Sequence, residues 1–229
     1  MNSLLIVRSE IISILIIIFL ILYDRYCAHF REGKDYFISL AVFCLGHVAM
    51  ALATEITVNM DDFPTRINDI LHIIFFAFGL LYSLEYFKYT LSLVVSRPQR
   101  RKIAIPLYVI SSICVIIMVF SKIDYLQGNG TKYSAGIGPS VCYGLAAFVV
   151  VFSDAIMIVK WKRIENLILI TILPLSFATI ILMCIQIAVP EFLFTGGALT
   201  ILTVGIFFSI ENPMKMVGDK AFIDRNTQT

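Results

Sequence analysis

The chain has 229 residues, of which 59% are hydrophobic and only 15% charged, with a mean hydropathy of +0.89. Soluble domains run nearer about 45–50% apolar and about 25% charged, so a water-soluble globule is excluded and a lipid bilayer is the expected solvent and partner. A net charge of +2 offers no bulk attraction to nucleic acid, which is not expected as a partner.

A spanning helix needs roughly 20 mostly apolar residues. Seven stretches qualify, so the expected fold class is an all-α seven-transmembrane helix bundle. The first, about Ser9–Cys27, centres on IISILIIIFLIL. It has no A-x-A-like exit, and its stronger positive flank follows the apolar run, so it reads as a retained helix and not a signal peptide. The second is about Tyr36–Val58. The third, about Ile67–Val95, is the longest and should tilt or project from the membrane. The fourth is about Ile103–Ser121. A Gly-rich loop, KIDYLQGNGTKYSAGIG, follows it and reads as a turn-forming connection. The fifth is about Gly138–Lys160. The sixth, about Asn166–Ala188, holds Pro174, which should kink it near its middle. The seventh is about Pro190–Ile210. No internal repeat is seen. Cys27, Cys44, Cys114, Cys142 and Cys184 have no CxxC spacing and read as small buried hydrophobes, with no disulfide or metal role.

Lysine and arginine set the expected orientation. The connections RYCAHFREGK, SRPQRRK and KWKR, with Lys88 and the C-terminal tail, hold 14 of the 18 basic residues. Arg8, Arg66, Lys122 and Lys132 lie on the other side. The positive-inside rule then puts the N-terminus outside and the C-terminus in the cytoplasm, as a multi-pass protein of the inner (plasma) membrane.

Topology alone does not choose a function. A retinal protein needs a lysine in the last helix, and PEFLFTGGALTILTVGIFFSI has none. A PQ-loop sugar transporter needs a Pro-Gln pair in each half, and the single pair, Pro98-Gln99, falls in a basic loop. Asn212-Pro213 lacks the tyrosine that follows in animal receptors. Catalytic signatures are missing as well: there is no G-x-S-x-G, HExxH or Walker loop, so no catalytic residues are assigned and the chain by itself is not expected to be an enzyme.

Polar groups are expensive at membrane depth and tend to be functional there. The expected outer half holds Glu10, Glu55, Asn68, Asp69, His72, Gln186 and Glu191. Asn68 and His72 stand i, i+4 on one helical face, and Asp69 stands i, i+3 from His72. An acid beside an imidazole makes a candidate proton-sensitive or cation-binding spot. With acids outnumbering bases on that side, these residues are candidates for a pocket that takes a cation or amine. A metal site is not expected, since no HxxxH-like ligand spacing occurs, and no cofactor is expected. On the inner side Tyr82, Tyr86 and Tyr89, with Glu85 and Lys88 between them, read as an interfacial aromatic and charge belt. Asp154 lies deep in the fifth segment and should face the bundle as an intramembrane polar lock or, in a transporter, as a proton or ion step.

After Ile210 come Glu211, Asn212 and Pro213, which should end the last helix. A mixed segment follows, and then Asp224-Arg225-Asn226-Thr227. This phrasing resembles the exit from seven-helix N-terminal sensor modules of bacterial signalling proteins, whose output is a GGDEF diguanylate cyclase or a histidine kinase. In those proteins an E-N-P phrase ends the last helix, and the cyclase opens with D-x-x-T-G. Glu211, Asn212 and Pro213 match the first phrase, and Asp224 and Thr227 the start of the second. Gln228 stands where glycine is usual, and no GGDEF signature is present. The resemblance implies a sensor domain over residues 1–210 and a connector over 211–229 leading to an output domain, with a homodimer as the working form. A small stand-alone transporter is the competing expectation.

Overall fold

A computed structural model describes residues 3–27, 36–60, 62–128, 132–164, 166–189 and 194–211. Among them are seven α-helices: α1 Ser3–Cys27, α2 Tyr36–Val58, α3 Thr65–Val94, α4 Arg97–Phe120, α5 Ile137–Val159, α6 Asn166–Ala188 and α7 Thr195–Ile206. Two short strands, β1 Asp124–Gln127 and β2 Lys132–Ala135, stand between α4 and α5. Five helices are long and apolar enough to cross a membrane: α2, α3, α4 from Gln99, α5, and α6 from Ile168. This is the build of a helical transmembrane protein.

The helices follow from continuous apolar sequence in which each backbone hydrogen bond closes within its own segment, as lipid demands. α3 is the axis. Its 30 residues span about 45 Å at 1.5 Å per residue, and it packs on α2, α4 and α5. α7 lies against α1, α2 and α6. The largest apolar cluster joins Phe37, Leu40 and Cys44 of α2 to Leu202 and Ile206 of α7. Outward-facing apolar side chains such as Phe19, Ile113 and Phe177 are half exposed or more, a surface that suits lipid.

Several expectations change here. The connection SRPQRRK is not a loop. Ser96 stands at the N-cap and Pro98 in the first turn of α4, where a missing N–H costs nothing. The Gly-rich connection is a β-hairpin, Asp124 pairing with Ala135 and Gln127 with Lys132. Gly136, at φ 126°, turns the chain from β2 into α5, a conformation that suits only glycine. α7 starts at Thr195 and widens into a π turn over Phe207–Glu211. Cys44, Cys114 and Cys142 are buried free thiols, but Cys184 is exposed on α6.

The tyrosines of α3 are not an interfacial belt. Tyr82, Tyr86 and Tyr89 are buried, each at most 2% exposed, because the face they share turns into the bundle. Of this set only Lys88 has the partly exposed character a belt would have; its ion-pair partner Glu85, at 2.5 Å, is buried.

Candidate functional site

Between the hairpin and the helix ends lies a cavity of about 340 Å³, near the lower end of the roughly 300–1,000 Å³ typical of small-ligand pockets. Glu10 of α1, Glu55 of α2, His72 of α3 and Gln186 of α6 all line it. Four of the seven sequence candidates, from four different helices, thus meet at one space. Tyr133 of β2, Tyr143 of α5 and Thr195 of α7 complete the wall.

His72 and Gln186 are each held by a local device. His72 donates from Nδ1 to the Asn68 carbonyl at 2.9 Å; the carbonyl can only accept, which fixes the tautomer. Gln186 joins three helices: its Nε2 donates to the Tyr143 hydroxyl at 3.0 Å, and its Oε1 accepts from the Thr195 backbone N–H at 2.9 Å. That second bond satisfies one of the orphan donors at the start of α7. Asn59 ties the roof to α2, donating to the Glu55 carbonyl at 2.8 Å and accepting from Lys132 N at 3.3 Å.

Asn68 and Asp69 are second to the cavity, not in its wall. Asn68 accepts from the Thr57 hydroxyl at 2.9 Å. Asp69, about 100° further round the helix, accepts from the Tyr125 hydroxyl of β1 at 2.7 Å. Asp69 and His72 thus make two separate hydrogen bonds, one anchoring the hairpin and one orienting the imidazole, while the Asp69 charge still acts on the imidazole as the spacing leads one to expect. Tyr125 also meets His72 edge-on at 5.2 Å. Burial, and then the bonded Asp69, push the Tyr125 phenol above its ordinary range, so it stays a donor. Glu191 lies outside the described residues.

The carboxylates are the unusual part. Glu10 is 1% and Glu55 4% exposed. Glu10 Oε2 and both carboxylate oxygens of Glu55 have no hydrogen-bond partner. Leaving such acceptors unmatched costs on the order of 1–3 kcal/mol each. α7 makes room for Glu10 with Gly196: a Cβ there would stand 2.5 Å from Glu10 Oε2. Gly196→Val should therefore push the Glu10 carboxylate out of its seat, at about 1 kcal/mol for the displaced side chain, read as a slightly lower melting temperature of the purified protein. A variant as stable as wild type would mean that the Glu10 carboxylate is not seated against Gly196.

Below the cavity a second polar series runs down α3. The Tyr82 hydroxyl bonds α7 at two neighbouring oxygens, sharing a hydrogen bond with Thr203 Oγ1 at 3.1 Å and lying 3.3 Å from the Leu199 carbonyl. Tyr86 donates to Asp154 Oδ1 of α5 at 2.9 Å, and Ser176 of α6 donates to Asp154 Oδ2 at 2.7 Å. Tyr89 donates to Glu211 Oε1, the last residue of the π turn, at 2.9 Å. Asp154 thus sits where three helices meet, and Glu211 is buried at the far end of α7. Asn212, Pro213 and Asp224 lie outside the described residues.

Sequence reasoning missed Tyr143, Thr195 and the hairpin tyrosines, whose only signal was a hydroxyl in or beside an apolar run. Among the described residues no three His, Cys, Asp or Glu side chains group as a metal site. No protein-family model matches the chain, and neither does any curated protein.

Proposed function

We propose that the chain is a membrane-embedded sensory module. Seven helices cross the bilayer with the N-terminus outside and the C-terminus in the cytoplasm. A small ligand enters the cavity from outside, and α7 passes the consequence to a cytoplasmic output such as a diguanylate cyclase or histidine kinase. Spanning length in five helices, the 25 residues of α1 and the apolar run Thr195–Glu211 support seven crossings. The skew of Lys and Arg supports the orientation, and the bacterial inner membrane follows from the resemblance at the tail.

The observation that carries the reading is that one helix serves both ends. α3 borders the cavity with His72 and Phe75. About 25 Å further on, it grips the end of α7 through Tyr89 and Glu211. A ligand that shifts α3 or α7 at the cavity biases the connector only if two packings exist. Hydrogen–deuterium exchange on the full chain in nanodiscs tests this. Glu10→Gln and Glu55→Gln should change exchange of amides 204–211 by about threefold or more, some 0.6 kcal/mol. Unchanged exchange there, with altered exchange around the cavity, would sink the relay. The cavity would then be better read as the binding site of a small transporter, to be followed by uptake into liposomes.

A further inference from the structure

Three oxygens in the cavity wall define the ligand more closely than charge alone. Glu10 Oε2, Glu55 Oε1 and Glu55 Oε2 are buried acceptors without a partner. No donor of the wall reaches them: Thr195 N–H goes to Gln186, one Nε2 hydrogen of Gln186 to Tyr143 and His72 Nδ1 to Asn68, and Lys132, which lines the same cavity, has partners of its own. What the two carboxylates lack is a set of N–H or O–H donors carrying positive charge.

We propose that the cavity takes a small primary ammonium compound, whose three N–H donors answer the three unpartnered oxygens of Glu10 and Glu55. An ammonium head offers three donors and no acceptor, and charge-assisted bonds to carboxylates are the strong kind. Phe75, Tyr133 and Tyr143 line the same space, and aromatic rings beside a cation add to its binding. A metal ion fits less well, for no third His, Cys, Asp or Glu joins the pair among the described residues. The three oxygens lie shielded against the wall, so uptake needs a side-chain rotation. That rotation frees three oxygens that accept no hydrogen bond where they now stand. A rotamer change of this size costs on the order of 1 kcal/mol, less than the cost of leaving three buried acceptors unmatched.

This inference rests on the reading of the cavity as a ligand site, and the test separates the two. The full chain in detergent would be titrated with propylammonium, ethanolammonium, tetramethylammonium, propanol, propionate and sodium chloride, following melting temperature and heat of binding. The primary ammonium ions should bind. Tetramethylammonium, which has the charge but no N–H, and propanol should bind at least tenfold more weakly. Glu10→Gln and Glu55→Gln should each weaken propylammonium at least tenfold. Neither should lower the melting temperature of the ligand-free protein, since each replaces an unmatched carboxylate with a neutral amide. Equal binding of tetramethylammonium, propanol or propionate would overturn the ammonium assignment and leave the cavity reading standing. Undiminished propylammonium binding in both variants would do the same. If no compound binds at about 10 mM, some ten times a millimolar Kd, both readings fail.

Discussion

Asp154→Ala should destabilise the protein by about 1–3 kcal/mol, seen as a lower melting temperature in detergent or nanodiscs. Two hydroxyls converge on this carboxylate, Tyr86 at 2.9 Å and Ser176 at 2.7 Å. Both donors are fully buried, so water cannot replace the lost acceptor. Side-chain hydrogen bonds inside membrane bundles measure about 0.6 kcal/mol on average and up to about 1.7, and two of them give the expected range. Tyr86→Phe removes one bond and should cost about half as much. Asp154→Asn keeps one carbonyl acceptor but presents an NH₂ to the other hydroxyl, and should fall between. In a double-mutant cycle of Asp154→Ala with Tyr86→Phe, the shared bond appears as a coupling energy; strict additivity would mean that the two residues do not interact. An Asp154→Ala protein as stable as wild type would remove the structural role. It would point to Asp154 as a proton or ion step, and so toward transport.

The helical, membrane-spanning character was legible because apolar runs of spanning length have few alternatives. Which face of each helix turns inward was not. In a soluble helix the polar stripe marks the outside, but lipid is as apolar as the core, so α3 reads as oily on every side. Tyr82, Tyr86 and Tyr89 therefore looked like an interfacial belt, whereas their hydroxyls find partners on α5 and α7. The cavity was half legible for a related reason. Glu10, Glu55, His72 and Gln186 stand out because polar groups at membrane depth are costly. Tyr143, Thr195 and Gly196 are ordinary residue types, and their part depends on which helix crosses them. Asn68 and Asp69 show the limit of spacing arguments: adjacent on α3, they point to α2 and to the hairpin. The hairpin itself was hidden by glycines that read equally well as loop.

Tyr89→Phe should loosen the end of α7 without unfolding the bundle. Glu211 would otherwise be an acid at the end of an apolar helix, free to reach polar surroundings. The π turn over Phe207–Glu211 instead keeps it inside, where it accepts from Tyr89 at 2.9 Å. Phe207 holds the same turn apolarly, its ring 5.4 Å from Phe37 and 5.7 Å from Tyr23. Losing one hydrogen bond of about 0.6–1.7 kcal/mol should raise exchange of the 207–211 amides by roughly 3- to 20-fold, at about 1.4 kcal/mol per tenfold, with little change in melting temperature. Phe207→Ala removes core packing, where a loss of about 3–5 kcal/mol is usual, and should lower the melting temperature outright. Glu211 and Tyr89 make further contacts as well, so Glu211→Ala should loosen the turn at least as much as Tyr89→Phe, while Glu211→Gln, which keeps an acceptor, should stay close to wild type. The comparison decides whether α3 reaches the connector. If Tyr89→Phe leaves exchange unchanged while Glu211→Ala raises it, other contacts hold the turn. A ligand at the cavity would then reach the connector only along α7 itself, entered at Gly196 beside Glu10 or from α3 through Tyr82 and Thr203.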